Sequence, residues 1–235
     1  MRTRIIAFCL CLLTSTAGAA ELRNLKMPLA DGGDLLYGLS LPDGYVPGQA
    51  RPLVLALHPG GMRMVYYGSA YTRAVVQPAL AGLGAIIVAP DCPTNAWTDA
   101  TSERAVMALL DRIVREYLID RARVLVVGFS MGGRGTWFFS SRHPELFTAA
   151  IPMAAGTGDE PSELLARMPT YIIHSRRDEV VPFAPAERNA RALERLGRTV
   201  VFEPLDTPTH FDMGAYIPAL RRAGVWVAAR WMSFR

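Results

Sequence analysis

A run of β-branched residues leads directly into a glycine-flanked serine, and this junction constrains the fold more than any other segment. Residues 123–127 read Arg-Val-Leu-Val-Val, residues 128–132 read Gly-Phe-Ser-Met-Gly, and Gly133 opens a helix-forming stretch. A strand, a sharp turn and a helix in this order form a nucleophile elbow, which presents a serine hydroxyl on a strained backbone. The pattern makes Ser130 the candidate nucleophile. A bland strand-to-helix loop rich in Gly and Ser is the alternative.

Short apolar runs and stretches of helical periodicity alternate along the rest of the chain. Strands are predicted at residues 35–41, 52–57, 85–89, 124–127, 149–153, 170–174 and 199–202, and helices at 101–118, 185–196 and 217–232. This alternation predicts an α/β fold with a mostly parallel central sheet and helices on both faces. The first of these strands is expected to run antiparallel. In such sheets the chemistry collects at the carboxyl ends of the strands.

The N-terminal segment is typical of a secretory signal. Residues 1–4 carry two arginines, residues 5–13 form an apolar segment too short to span a bilayer, and residues 17–19 are small. The sequence therefore predicts a signal peptide over residues 1–20 and a single domain over residues 21–235. The protein is expected to be secreted or periplasmic, with no stable membrane insertion after cleavage. An uncleaved anchor is the alternative.

Charge and cysteine content argue against a nucleic-acid-binding protein and against a fold held together by disulfides. Of the 25 basic residues, Arg2 and Arg4 lie in the predicted signal, so 23 basic residues face 21 acidic ones in the mature chain. Lys26 is the only lysine, and the arginines are dispersed, so nucleic-acid binding is not expected. Signal cleavage would leave Cys92 as the only cysteine. The mature chain therefore has no internal disulfide and depends on packing for stability.

A serine nucleophile requires a base and an acid that orients the base. His210 lies in a loop after the last predicted strand, which is the position expected of the base in the chain order serine, acid, histidine. Asp178 follows the preceding strand and is the candidate acid, with Asp206 and Glu179 as rivals. The remaining histidines are interpreted as structural: His58, His143 and His174.

Two backbone N–H groups must also face the charge that develops on the substrate oxygen. The N–H of Met131, directly after the candidate nucleophile, is expected to be one of them. The other is expected from the loop after the first buried strand, which reads His-Pro-Gly-Gly-Met. Pro59 has no N–H to donate. Gly60 and Gly61 are therefore the candidates, with Met62 as a further alternative.

Taken together, these motifs resemble the α/β-hydrolase superfamily. Within it, the chain is most similar to compact secreted esterases of the polyhydroxybutyrate-depolymerase, feruloyl-esterase and dienelactone-hydrolase-like kind. The resemblance covers nearly all of the mature chain and implies an acyl-enzyme on Ser130, formed with His210 as base and released by water, without metal or cofactor. The segments that carry it are residues 57–61, 128–133, 173–182 and 209–210.

The chain departs from this family at two dipeptides. Many relatives have His-Gly where this chain has His58-Pro59, which bears on the identity of the second oxyanion donor. Many also have His-Gly just before the acid, where this chain has His174-Ser175. The second change is a mild one.

The predicted cleft is open. Only residues 154–169 separate two consecutive strands at the place where many relatives carry a lid, so no large lid domain is expected. A small-molecule or polymeric ester could then reach the serine. Met62, Trp97 and Phe183 fall on loops at this end of the sheet and are candidate substrate-binding residues; Trp97 lies in a polar loop that offers little core.

The leading hypothesis is a secreted carboxylic-ester hydrolase that acts through Ser130, Asp178 and His210. The same triad also cleaves amides, so a serine peptidase is one alternative. A hydrolase-like binding protein without activity is another, although the intact set of serine, aspartate and histidine argues against it.

Overall fold

The computed structural model describes residues 21–61, 64–160 and 162–233, and the strands of this part of the chain form a single eight-stranded sheet. The predicted signal at residues 1–20 lies outside the described residues. The strands are β1 (Leu22–Pro28), β2 (Asp34–Ser40), β3 (Arg51–Leu57), β4 (Ile86–Pro90), β5 (Ile119–Phe129), β6 (Ala149–Met153), β7 (Thr170–Ser175) and β8 (Val200–Leu205).

Across the sheet the strand order is β1-β2-β4-β3-β5-β6-β7-β8. The pairs β1–β2 and β2–β4 are antiparallel, and all the other neighbours are parallel. The carboxyl ends of β3 to β8 therefore meet at one edge of the sheet, and the residues that follow them are brought together. The helices are α1 (Tyr67–Tyr71), α2 (Gln77–Leu80), α3 (Ala100–Glu116), α4 (Met131–Arg142), α5 (Phe183–Arg195) and α6 (Ile217–Ser233).

Apolar side chains cover both faces of the sheet because alternate strand residues point to opposite sides. In β3, Val54 belongs to a core that also contains Leu220 of α6. Its neighbour Leu55 belongs to a second core that contains Leu109 of α3. Burial on both faces explains why the central strands read as continuous apolar runs. The predicted α/β architecture, with a mostly parallel sheet and helices on both faces, is confirmed.

Two segments were not predicted as regular structure. β1 is an edge strand in which only Met27 is buried, so its sequence shows little apolar alternation. The helical segment between β3 and β4 is broken into α1, a π-helical turn at Thr72–Val76, α2 and a 3-10 turn at Ala81–Leu83. Because these short turns interrupt the helical periodicity, the sequence did not predict a helix in this segment. None of the helices in the described residues is long and apolar enough to cross a bilayer.

Candidate active site

Ser130 lies at the turn between β5 and α4, as predicted from the sequence. Its φ of 54° and ψ of −116° place it in a region that side-chain-bearing residues rarely adopt. Its N–H donates to the carbonyl of Met153 at 2.9 Å, and its own carbonyl accepts from the N–H of Arg134 at 2.9 Å. The strained turn is thus held by β6 on one side and by the first turn of α4 on the other.

Two glycines allow the turn to pack tightly. A Cβ added to Gly132 would lie 1.9 Å from the carbonyl oxygen of Leu57, and one added to Gly128 would lie 2.2 Å from the carbonyl oxygen of Gly132. Both obstacles are backbone atoms, which cannot rotate away as a side chain can. Glycine at both positions is therefore a steric requirement of the elbow.

We expect Gly132→Ala to lower the free energy of unfolding by about 3 kcal/mol or more, since the methyl group would displace the end of β3. Gly82→Ala is the matched control, because a Cβ there would meet nothing within 4 Å. Chemical denaturation of the two variants and the parent measures the difference. Equal stability of all three proteins would contradict the close approach of Gly132 to Leu57.

His210 links the serine to the acid. Its Nε2 lies 2.8 Å from Ser130 Oγ, and its Nδ1 lies 2.8 Å from Oδ2 and 2.9 Å from Oδ1 of Asp178. With the proton on Nδ1, the ring donates to the carboxylate and its free Nε2 accepts from the serine hydroxyl. The structure therefore brings all three predicted residues into one chain of hydrogen bonds, in the order that an activated serine requires.

The Asp178 carboxylate is buried and well oriented. Its side chain has no solvent exposure. Besides the imidazole, its Oδ1 accepts hydrogen bonds from the backbone N–H groups of Val180 at 3.0 Å and Val181 at 2.7 Å. These donors offset the cost of removing a charge from water and fix the direction of the carboxylate.

The two rival carboxylates serve other partners. Glu179 accepts a hydrogen bond from the backbone N–H of His210 at 3.0 Å, so it supports the loop that carries the histidine. Asp206 is exposed and pairs with Arg176 at 3.2 Å. Asp178 is thus the carboxylate that the geometry places on the imidazole.

The loop after β3 lies against the start of α4, as the oxyanion prediction requires. A Cβ added to Gly60 would be 3.4 Å from the Cβ of Met131, so the two backbones are close neighbours. Gly61 has a φ of 123°, which favours glycine. Both glycines and the Met131 N–H remain the candidate donors. Met62 lies outside the described residues.

An open cleft of about 520 Å³ borders this loop. Its walls come from the start of β2, the loop after β3, the beginning of α1 and the loop after β4. The residues that line it are Asp34, Leu35, Leu36, His58, Pro59, Gly60, Gly61, Met64, Val65, Tyr67, Asp91, Cys92, Pro93, Thr94, Asn95 and Met131.

Comparisons with known proteins identify the family to which this fold belongs. The family profile described as alpha/beta hydrolase fold matches residues 52–172, more than half of the chain. The chain belongs to this family. A solved structure described as a thermostable esterase is 26% identical, with a TM-score of 0.75 over 88% of this chain and 62% of that one. The predicted α/β-hydrolase fold is thereby confirmed.

Curated proteins similar to this chain include a feruloyl esterase and cutinases. Feruloyl esterase C of Emericella nidulans is 27% identical over 156 residues, which is 62% of this chain and 56% of that protein. Cutinase 2 of Thermobifida cellulosilytica is 28% identical over 163 residues, 67% of this chain and 60% of that protein. The predicted resemblance to esterases is confirmed, although the matches cover less than two thirds of either relative.

The prediction that Trp97 contacts substrate is wrong. The residue is fully buried, and its indole N–H donates to the carbonyl of His58 at 3.0 Å. A Cβ added to Gly135 in α4 would lie 2.6 Å from the Trp97 Cβ, so the side chain packs against that helix. The polar residues around Trp97 misled the prediction, because Thr94 and Asp99 hydrogen-bond to each other and leave the indole to fill the core.

Phe183 is also placed away from the cleft. It begins α5, and its ring lies 6.0 Å from that of His174 and 5.5 Å from that of Phe202, measured between centroids. The guanidinium of Arg176 covers the ring at 4.6 Å. These neighbours give Phe183 a packing role beside the acid loop, and its contact with substrate stays a prediction.

Two buried histidines other than His210 hold loops in place. His58 donates from Nδ1 to the carbonyl of Pro59 at 2.7 Å and accepts at Nε2 from the N–H of Cys92 at 2.9 Å. Burial lowers the pKa of His58 to about 4, so the ring is neutral at pH 7 and ties the oxyanion loop to the end of β4. His174 donates from Nε2 to the carbonyl of Val181 at 2.9 Å, and burial lowers its pKa as well.

His143 has a structural contact too, because its Nε2 lies 2.8 Å from Oε1 of Glu103 in α3. The pair joins the end of α4 to the neighbouring helix. The predicted structural role of His143 agrees with this position.

Asp91 lines the cleft, yet no sequence pattern singled it out. Its carboxylate accepts from the backbone N–H of Tyr66 at 2.6 Å and of Gly68 at 2.8 Å, and so holds the start of α1. Burial raises the pKa of the Asp91 carboxyl. The available signal was an acidic residue at the carboxyl end of a strand, which by itself does not reveal what the carboxylate binds.

Proposed function

We propose that this chain is a serine carboxylic-ester hydrolase with Ser130 as nucleophile, His210 as base and Asp178 as the orienting acid. The observation that carries the proposal is the hydrogen-bond chain from Ser130 Oγ through the imidazole to a fully buried carboxylate, with both distances at 2.8 Å. The strained φ of Ser130 supports it further, because such strain persists where the surrounding structure enforces it and is concentrated at active sites.

The geometry supports a two-step acyl transfer. Ser130 Oγ bonds to the ester carbonyl carbon while its proton passes to Nε2 of His210, and Asp178 stabilises the imidazolium that forms. The N–H of Met131 and that of Gly60 or Gly61 stabilise the oxyanion. The imidazolium then gives its proton to the departing alcohol oxygen as the carbon–oxygen bond breaks.

Water completes the cycle. The neutral imidazole of His210 takes a proton from a water molecule, whose oxygen attacks the acyl carbon. The second tetrahedral intermediate releases the carboxylic acid, and the proton returns to Ser130 Oγ. These steps require neither a metal nor a redox cofactor.

Esters are the proposed substrates because the curated relatives are named feruloyl esterase and cutinase. The open cleft and the short connection at residues 154–169 support access by bulky or polymeric esters as well as small ones. We further propose that residues 1–20 direct export and that residues 21–235 form the mature domain, on the strength of the signal-like N-terminal sequence.

Labelling with a fluorophosphonate tests the proposal directly. We expect intact-mass spectrometry to detect a single adduct that maps to Ser130 and is absent when His210 is replaced by alanine. The unlabelled protein should hydrolyse a short-chain nitrophenyl ester much faster than a peptide anilide. Faster cleavage of the anilide would favour a peptidase, and the absence of any adduct on folded protein would favour an inactive binding protein.

A further inference from the structure

Ser175 occupies a buried position between the loops that carry the acid and the base. It is the last residue of β7 and has no solvent exposure. Its Oγ accepts a hydrogen bond from the backbone N–H of Arg177 at 3.1 Å and donates to the carbonyl of Pro208. The carbonyl of Leu205 lies farther from Oγ, at 3.3 Å. A hydroxyl can donate only one proton. Because the Pro208 carbonyl is the nearer acceptor, the Ser175 hydroxyl donates to Pro208 and not to Leu205.

These partners flank the two residues that must meet. Arg177 directly precedes Asp178, and Pro208 lies two residues before His210. The parallel pairing of β7 and β8 ends at Ser175 and Leu205, so the segments that follow them are no longer paired as strands. The Ser175 hydroxyl therefore adds a bridge just beyond the last strand pair, where the acid and base loops begin.

Glycine cannot form this bridge. The bridge depends on the Ser175 hydroxyl, which glycine and alanine both lack. Without it, the buried carbonyl of Pro208 and the N–H of Arg177 would each lose a hydrogen-bond partner. We propose that Ser175 is a positioning residue that sets the separation of Asp178 from His210. This inference rests on the proposed function.

The expected kinetic signature is specific. A displacement of about 1 Å in a catalytic group can lower a rate up to about 100-fold without touching the substrate. Because the hydrogen bonds of the Ser175 hydroxyl join it to Arg177, Pro208 and Leu205, and none of these residues lines the cleft, its loss should affect kcat and leave KM unchanged. We expect Ser175→Ala to lower kcat for a nitrophenyl ester about tenfold.

Ser140→Ala is the matched control. Ser140 is also buried, and its hydroxyl also donates to a backbone carbonyl, that of Trp137 at 3.2 Å, but it lies near the end of α4 away from both loops. Ser175→Cys is the second test variant, because a thiol keeps the shape and donates weakly. For each protein, kcat, KM, the thermal midpoint and the rate of fluorophosphonate labelling are measured.

Support requires a lower kcat at unchanged KM in Ser175→Ala, an intermediate kcat in Ser175→Cys, and parental kinetics in Ser140→Ala. If either Ser175 variant matches the parent in kcat while the parent is active, the positioning role is overturned and the proposed function stands. If the folded parent neither hydrolyses esters nor reacts with the fluorophosphonate, the proposed function fails and the inference fails with it. Should Ser175→Ala not fold, the cysteine variant decides.

Discussion

Replacement of Ser130 by alanine should reduce kcat for a nitrophenyl ester by about 10⁶-fold and abolish fluorophosphonate labelling. The reason is that no other atom in the elbow can form the acyl-enzyme. Alanine keeps a Cβ at the strained φ of 54°, so the backbone energetics of the turn change little. Thermal unfolding should therefore remain close to that of the parent. Progress curves at high enzyme concentration measure the residual rate.

Ser140→Ala again serves as the control, since it removes a serine hydroxyl from α4 without touching the elbow. It should retain parental activity and labelling. Substantial ester turnover by the Ser130 variant would place the nucleophile elsewhere, and adduct mapping on that variant would identify it.

Much of the candidate site could be predicted because chemistry and topology restrict it together. The elbow needs glycine on both sides of Ser130 for steric reasons that hold in any chain with this turn. The motif can therefore be recognised from the amino-acid sequence alone. The strands that precede Asp178 and His210 are β7 and β8, which run parallel to β5 in the same sheet, so the carboxyl ends of all three lie at one edge. Residue type and chain order were therefore enough to select both partners.

The parts that escaped prediction depend on contacts between segments distant in sequence. The indole of Trp97 is buried because its hydrogen-bond acceptor, the carbonyl of His58, lies on another strand end. Ser175 looked like a mild departure because its partner, Pro208, is 33 residues away. A local pattern can show that a side chain is polar or large. It cannot show which distant backbone group it will meet.

Asp178→Asn should lower kcat about 10⁴-fold while preserving the fold. The amide oxygen can replace Oδ1 and keep the hydrogen bonds from the N–H groups of Val180 and Val181. The amide NH₂ then faces Nδ1 of His210, which must become an acceptor. The ring proton moves to Nε2, and that nitrogen can no longer accept the proton of Ser130.

The two rival carboxylates supply the controls. In each, replacing one carboxylate oxygen with an amide nitrogen removes the charge and nearly preserves the shape. Glu179→Gln should cost only a few-fold in kcat, since the amide oxygen can still accept from the His210 N–H. Asp206→Asn should have almost no effect, because its ion pair with Arg176 is exposed to solvent. Initial rates on one nitrophenyl ester rank the three variants. If Glu179→Gln lost more activity than Asp178→Asn, the orienting acid would be Glu179, and the buried carboxylate on the imidazole would have only a structural role.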